Sequence, residues 1–265
     1  MKNKKLYIII LIFIFVIILT YIFTIKKIEA PKLPENSIVN GTIETIEAKP
    51  EIKITTDDKD KYVILNRNIV AHKDILNKKK IVLLTIDDGP SSRTLGMIDI
   101  LKKHNAKAIF FINGMHDKGY PNIIKKINDE GFAVGNHTWD HLNLKKEKDT
   151  KIIEKEINEN SSLINKLTGA PPRFFRAPYG ESDPSVRKLI KDDGMIMMDW
   201  SDAAIDWDKS TKDKNIFIKN VTSNLQPGSI ILIHEHPWSL ANLDSLLTTL
   251  ESDGYAYVDP KNIVE

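Results

Sequence analysis

The chain contains 265 residues, which is enough for one large domain or two small ones. Its formal net charge is only +2, so the composition provides no strong attraction to nucleic acid, and no nucleic-acid partner is expected. The sequence contains no cysteine, which excludes disulfide bonds, thiolate metal sites and a cysteine nucleophile.

A long apolar segment follows three lysines near the N-terminus. Leu6 to Ile25 is a run of uncharged residues, and a helix of about 20 residues spans roughly 30 Å, the thickness of a bilayer's hydrocarbon core. A cleavable signal peptide has a shorter apolar region, and Pro31 is unfavourable for cleavage at the nearest small residue. We therefore expect a cytoplasmic tail (1–5) and an uncleaved transmembrane anchor (6–26). The excess of positive charge before the anchor favours a single-pass protein of the cell membrane, with its remaining residues facing the cell wall.

Residues 27–78 are interpreted as a juxtamembrane stalk. Three prolines disfavour helix in this range, and two short segments, 51–55 and 62–65, have β-prone composition. We assign no chemistry to this stalk.

From residue 79 onward, strand-like and helix-like patterns alternate. Strand-like runs occur at 81–87, 108–113, 132–137, 174–178, 195–200, 229–235 and 255–258. Helix-like patterns occur at 93–104, 121–129, 149–168, 184–193, 213–225 and 239–252. This alternation predicts an α/β domain with a parallel sheet or barrel. Seven strands suggest a barrel one unit short of the usual eight, and we place the domain at residues 79–262.

Two carboxylates and two histidines lie at the ends of strand-like runs. Asp87 and Asp88 end the first run, and a Gly-Pro turn follows them. His137 and His141 follow the third run, and histidines four residues apart share one face of a helix and can chelate one ion. One carboxylate would complete a three-ligand set with a position open for water, and the other would be free to act as a base. The sequence therefore predicts a metal-dependent hydrolase.

Three later segments also end strand-like runs, at the face where barrel active sites are built. Arg176 precedes a Pro-Tyr-Gly turn, Asp206-Trp207 is the second of two Asp-Trp pairs, and His234 ends a buried run. Taken alone, the first segment is equally consistent with a loop held by arginine packing, and the second with tryptophans of the core. His236, two residues beyond His234, is expected to point elsewhere, as a residue of the rim.

In this order the five motifs resemble those of the polysaccharide deacetylase family, also called the NodB-homology domain. They are Thr85-x-Asp87-Asp88-Gly89-Pro90, His137-Thr138-x-x-His141, Arg176-x-Pro178-Tyr179-Gly180, Asp-Trp and Leu232-x-His234. The resemblance covers roughly residues 79–260 and implies a distorted seven-stranded (β/α) barrel. Ile86 stands where the family commonly has phenylalanine, and Ala177 is an ordinary variant; neither is a reacting group.

The resemblance implies that Asp88, His137 and His141 hold a divalent metal, commonly zinc, with cobalt, nickel or manganese as alternatives. Asp87 would be the general base. We expect its nearness to the cation and to Arg176 to keep it ionised at neutral pH.

The remaining motif residues would bind the substrate and protonate the leaving group. His234 would be the general acid, kept charged by a neighbouring carboxylate, most plausibly that of Asp206. The backbone N–H of Tyr179 would stabilise the oxyanion. Trp207 and Leu232 would line the slot for the acetyl methyl group.

The implied reaction is removal of N-acetyl groups from a glycan, with peptidoglycan N-acetylglucosamine as the first substrate and N-acetylmuramic acid as the second; chitooligosaccharides are further candidates. Two alternatives stay open. The same residues would also serve an esterase that removes O-acetyl groups. A non-catalytic glycan-binding module would be indicated by loss of Asp87 or of a metal ligand, and none is lost. The sequence carries no indication of the oligomeric state.

Overall fold

The computed structural model describes residues 60–264. The predicted cytoplasmic tail and anchor, and most of the predicted stalk, lie outside the described residues, so the topology stays a prediction. Within residues 60–264, no helix combines the length and the apolar character needed to cross a bilayer.

The described part of the chain alternates strands and helices. Its strands are β1 (Tyr62–Leu65), β2 (Ile69–His72), β3 (Ile81–Gly89), β4 (Ala108–Ile112), β5 (Ala133–Asn136), β6 (Phe174–Phe175), β7 (Ile196–Met197), β8 (Asp202–Ala203), β9 (Ser229–His234) and β10 (Ala256–Tyr257). Its α-helices are α1 (Thr94–Lys103), α2 (Ile123–Asp129), α3 (Thr150–Thr168), α4 (Pro184–Asp192), α5 (Lys214–Thr222) and α6 (Pro237–Ser252). All six predicted helices are present, each within three residues of its predicted bounds.

The parallel strands curve into an open barrel around β3. This strand pairs with β9 on one edge and with β4 on the other, and almost all of its residues are buried. Strands covered on both faces need apolar residues throughout, which explains the continuous run in β3. The ring runs β8-β9-β3-β4-β5-β6-β7, and among residues 60–264 β7 and β8 are not paired with each other. The result is an α/β half-barrel with seven strands.

One of the seven strands in this ring is not the strand that was predicted. The predicted seventh run, 255–258, forms β10, which pairs only with the first residues of β3, just upstream of β4 on the same edge. The place in the ring is taken by β8, which pairs with β9 through Asp202 and Ala203. A two-residue strand in polar surroundings has no periodic pattern, so the sequence did not reveal it.

The predicted start of the domain at residue 79 is too late. Strands β1 and β2 form an antiparallel hairpin within the range assigned to the stalk, and β2 joins β9 at Ile69 and Ser229. Val70 is 1% exposed, and its N–H donates to the carbonyl of Gly228 at 2.9 Å. The hairpin therefore belongs to the folded domain, because its apolar residues are buried against the barrel.

Alternate residues of the central strands fill two separate cores. In β4, Ile109 and Phe111 belong to the cluster inside the barrel, whereas Phe110 and Ile112 pack with the surrounding helices. This is the two-residue period of a strand with both faces covered. The filled interior leaves the carboxyl ends of the strands as the place where polar side chains converge.

Candidate active site

The end of β3 directs two adjacent carboxylates into one cavity. Successive residues of a regular strand point to opposite faces. Here the pairing register with β4 shifts between Asp87 and Gly89, and Asp88 has a left-handed backbone with a φ of 67°. Such a bulge redirects a side chain. Asp87 is buried and Asp88 half-buried, and both line the cavity.

The two histidines lie on a loop after β5, so the expectation that they share a helical face is wrong. Thr138 and His141 both have left-handed backbones, with φ values of 67° and 66°. The Thr138 N–H donates to Oδ1 of Asn136 at 2.8 Å, and the His141 N–H donates to Oγ1 of Thr138 at 3.1 Å. These bonds form a tight loop that brings the rings of His137 and His141 to 5.0 Å between centroids.

Hydrogen bonding and burial prepare His137 as a neutral ligand. Its Nδ1 lies 2.8 Å from the carbonyl oxygen of Arg176, which can only accept, so Nδ1 carries the proton and Nε2 faces the cavity. Burial lowers the pKa of His137 to about 3, against the opposing charge of Asp88. A neutral imidazole with a free Nε2 is the form that binds a metal.

Asp88, His137 and His141 fit a divalent metal. Oδ1 of Asp88 lies 3.5 Å from Nε2 of each histidine, and the three candidate ligand atoms are within 4.8 Å of one another. That oxygen is buried and has no hydrogen-bond partner among the described residues. Buried polar atoms without partners are rare, and coordination to an ion would satisfy this one. Two imidazoles and one carboxylate form a ligand set that suits zinc and its neighbours.

Replacing either histidine with alanine is expected to reduce both metal content and activity, because each change removes one of the three candidate ligands. The measurement is metal per protein by elemental analysis after dialysis. His104→Ala is the matched control, since that histidine is held by Asp244 and Glu251 at 3.0 and 2.9 Å. Full metal content in His137→Ala and His141→Ala would remove these residues from the ligand set.

Arg176 holds Asp87 from behind the cavity. Its Nη1 donates to Oδ1 of Asp87 at 2.8 Å and to Oγ1 of Thr85 at 2.7 Å. The guanidinium is fully buried and lies over the ring of Phe111, with 4.4 Å from Cζ to the centroid. Burial raises the pKa of Asp87 above its ordinary value, and Arg176 opposes this rise. A raised pKa makes the carboxylate a stronger base than an exposed aspartate.

His234 lies beside Asp87 and is paired with a buried carboxylate. The two residues are partners in the register of β3 and β9. The fully buried Asp206 lies 2.7 Å from Nδ1 of His234 and also accepts the hydroxyl of Ser239 at 2.6 Å. Burial alone would lower the pKa of His234, but the hydrogen bond and charge of Asp206, with the charge of Asp87, raise it to about 9.

This pairing predicts a pH-dependent stability. His234 has a folded-state pKa of about 9 against an ordinary 6.5, so its contribution is complete below pH 6.5 and is lost as the pH rises through 9. The contribution is on the order of 3 kcal/mol, since one pKa unit corresponds to about 1.4 kcal/mol. Urea unfolding of the metal-free protein on both sides of this window measures it. Asp206→Asn should flatten the pH dependence, and equal slopes in both proteins would contradict the assignment.

The cavity has a volume of about 430 Å³ and an aromatic rim. It is lined by Asp87, Asp88, His137, His141, Ala177, Tyr179, Trp200, Trp207, Leu232, His234 and His236. Tyr179 and Trp207 are 61% and 56% exposed, so their rings are available to a ligand at the entrance. Of the predicted site residues, only Arg176 and Asp206 do not line the cavity; they lie behind Asp87 and His234.

Two lining residues differ from the sequence-based expectations. His236 lines the cavity, although it was expected to point elsewhere as a residue of the rim. Its ring stacks on that of Trp238 at 4.8 Å between centroids. Trp200 lies in the lining as well, although only the second Asp-Trp pair was assigned to the site.

Two polar residues of α3, Glu156 and Asn160, support the histidine loop and were not predicted. The carboxylate of Glu156 accepts the N–H groups of Trp139 and Asp140 at 3.0 and 2.9 Å. Nδ2 of Asn160 donates to the carbonyl of Thr138 at 3.0 Å. Both residues are buried on a helix whose other buried residues are isoleucines. A polar side chain within an apolar stripe is the signal that could have found them.

Comparison with known proteins places this arrangement in a family. The family model for polysaccharide deacetylase matches residues 74–198. The chain is 33% identical over 217 residues to a peptidoglycan-N-acetylglucosamine deacetylase of Bacillus cereus, which covers 78% of each chain. It is 37% identical over 181 residues to the peptidoglycan-N-acetylglucosamine deacetylase PgdA of Listeria monocytogenes, which covers 68% of this chain and 38% of that protein. The present chain therefore spans well under half the length of the Listeria relative.

A solved structure shows the same likeness. The crystal structure of a peptidoglycan N-acetylglucosamine deacetylase in complex with 4-naphthalen-1-yl-N-oxidanyl-benzamide superposes with a TM-score of 0.64 and 35% identity. The match covers 68% of this chain and 86% of that one. Sequence identity over this length and the shared fold show that the chain belongs to the polysaccharide deacetylase family.

Proposed function

We propose that the protein is a metal-dependent hydrolase that removes N-acetyl groups from glycans, with peptidoglycan N-acetylglucosamine as its substrate. One observation carries the proposal: Asp87 and His234 flank the cavity into which Asp88, His137 and His141 also project. A buried base, an acid and a metal-ligand set in one cavity are the groups that amide hydrolysis needs.

Asp88, His137 and His141 would hold the metal, and zinc suits this ligand set. When bound, a divalent metal would polarise the acetyl carbonyl and lower the pKa of the attacking water. Asp87 would remove the proton from that water, since its carboxylate is held by Arg176 at 2.8 Å and opens to the cavity.

Residues of the neighbouring strand and of the cavity lining would complete the reaction. His234 would donate a proton to the departing amine, and Asp206 keeps that imidazole charged. The turn at Tyr179 has a left-handed backbone and borders the cavity, which supports its N–H as the oxyanion donor. Leu232 and Trp207 provide apolar surface for the acetyl methyl group. The products would be acetate and a glucosamine-type amine.

The charge of the cavity supports N-acetylglucosamine over an N-acetylmuramic acid without a stem peptide. The lactyl group of that sugar carries an additional carboxylate, and none of the described residues that line the cavity is lysine or arginine. Arg176 is fully buried, and its donors are used by Asp87, Thr85 and two carbonyl groups. The two sequence relatives described above are named as N-acetylglucosamine deacetylases, whereas a Bacillus subtilis relative, 32% identical over 189 residues, is named as an N-acetylmuramic acid deacetylase.

The test is incubation of the purified, metal-loaded protein with peptidoglycan and with chitooligosaccharides, followed by mass spectrometry. Loss of one acetyl group per N-acetylglucosamine is the expected result. Acetate release from O-acetylated polysaccharide alone would identify an esterase. Glycan binding without acetate release would identify a non-catalytic module.

We further propose that Leu6–Ile25 anchors the protein in the cell membrane, with the catalytic domain facing the cell wall. The support is the length of the apolar run and the lysines before it. Protease added to intact protoplasts should degrade the domain, and protection would reverse the orientation. A mature protein released into the medium and beginning near Pro31 would refute the anchor.

A further inference from the structure

Glu235 is a buried carboxylate that the proposed reaction does not use. It directly follows His234, and it is 6% exposed. Its two oxygens accept hydrogen bonds from the hydroxyl of Ser91 and from the hydroxyl of Thr94, the latter at 2.7 and 2.9 Å. A carboxylate is costly to bury, so this one must have compensating partners. Both partners lie between Asp88 and the first residue of α1, Thr94.

This segment is built around the carboxylate. A Cβ atom on Gly89 would collide with Oε1 of Glu235, so a larger residue where the chain leaves Asp88 would have to displace this carboxylate. Oγ1 of Thr94 also accepts the N–H of Ser91 at 2.9 Å, and Oγ of Ser91 accepts the N–H of Arg93 at 3.1 Å. Glu235 thus closes a hydrogen-bond network that fixes the chain from Gly89 to Thr94.

The network joins the two halves of the candidate site. On one side it starts next to Asp88, whose left-handed backbone is a conformation that residues other than glycine rarely adopt. On the other side it starts next to His234, the register partner of Asp87. A shift of the Gly89–Thr94 segment would move the Asp88 carboxylate relative to both candidate histidine ligands, since Oδ1 of Asp88 has no hydrogen-bond partner among the described residues to hold it in place.

We propose that Glu235 is a positioning residue that fixes the Asp88 carboxylate for metal binding and ties it to the strand that carries His234. The inference rests on the proposed function for its catalytic consequence, but its consequence for metal affinity does not depend on the substrate.

The test compares metal affinity and kinetics of Glu235 variants of the full chain. Glu235→Ala should weaken zinc binding, measured by competition with a chromophoric chelator, about 10–100-fold, the usual range for partners of metal ligands. It should lower kcat on chitooligosaccharides by a similar factor, with little change in KM. Glu235→Gln should restore most of both, because an amide oxygen still accepts a hydroxyl hydrogen bond. Ser91→Ala should show a smaller loss in the same direction, and it serves if Glu235→Ala fails to fold.

Asp202→Ala is the matched control, because Asp202 is a carboxylate of similar burial, 7% exposed, that does not line the cavity. It should lower the melting temperature without changing zinc affinity. If Glu235→Ala or Ser91→Ala lowers the melting temperature but keeps wild-type zinc affinity, Glu235 has only a structural role and the inference is wrong. Absence of deacetylase activity in the wild type, with the affinity loss still present, would overturn the proposed function and leave the positioning role standing.

Discussion

Asp87→Asn is expected to abolish turnover of N-acetylglucosamine oligomers while the protein still binds its divalent metal. Asparagine has nearly the same shape, and its oxygen can still accept the hydrogen bond from Arg176 that now spans 2.8 Å. It cannot take a proton from water. Loss of a general base typically costs about 10²–10⁴-fold in rate. The measurements are kcat on chitooligosaccharides and metal content on the same preparation.

The comparison with His137→Ala makes this result specific. That variant should lose metal and activity together, whereas Asp87→Asn should lose activity alone. The division of roles needs this test, because Oδ2 of Asp87 lies only 3.7 Å from Nε2 of His137. If Asp87→Asn empties the metal site, the assignments of Asp87 and Asp88 must be exchanged. Because the substitution removes the ion-pair partner of the buried Arg176, both proteins should be assayed well below their melting temperatures.

The regular part of the fold was predictable because burial imposes a period on the sequence. The helix predicted at 149–168 is Thr150–Thr168, since its isoleucines recur with helical spacing and Gly169 ends it with a φ of 82°. The long strands β3, β4 and β9 were found because strands covered on both faces must be continuously apolar. The strand β8 was not found, because only two of its residues pair with β9, and two residues are too few to show a hydrophobic period in the sequence.

The candidate site was predictable in its residues but not in its local backbone. Strand ends and motif order predicted that Asp87, Asp88, His137 and His141 lie close together, since parallel strands deliver their carboxyl ends to one face. All four line the same cavity. The bulge at Asp88 and the non-helical loop at His141 depend on left-handed residues that are not glycine. Side-chain hydrogen bonds stabilise the loop, such as the one that the His141 N–H donates to Oγ1 of Thr138. Hydrophobic periodicity contains no information about such bonds.

The supporting residues were missed because their partners are distant in sequence. Glu235 bonds to Ser91, 144 positions away, so a single buried Glu beside a histidine looks ordinary until the strands are paired. Ser239 is similar, since its role depends on Asp206, 33 positions away. Such residues become visible only when the fold has set which loops share an end of the barrel.

His234→Ala is expected to be severely impaired on N-acetylglucosamine oligomers and less impaired on an activated aryl acetate ester. An amine leaves poorly unless it is protonated, whereas a phenoxide needs little help. Losing the acid should cost about 10²–10⁴-fold on the amide. His234 is suited to this role because Asp206 raises its pKa to about 9, so the imidazole carries a proton at neutral pH.

The two substrates, assayed with one metal-loaded preparation, separate acid catalysis from positioning. Metal content should be unchanged, because His234 is outside the ligand cluster of Asp88, His137 and His141. Asp206→Asn should show the same substrate preference in weaker form, since it leaves the imidazole in place but lowers its pKa by removing the paired charge. Equal losses on amide and ester, with the metal retained, would mean that His234 positions the acetyl group and that the proton reaches the amine from another donor.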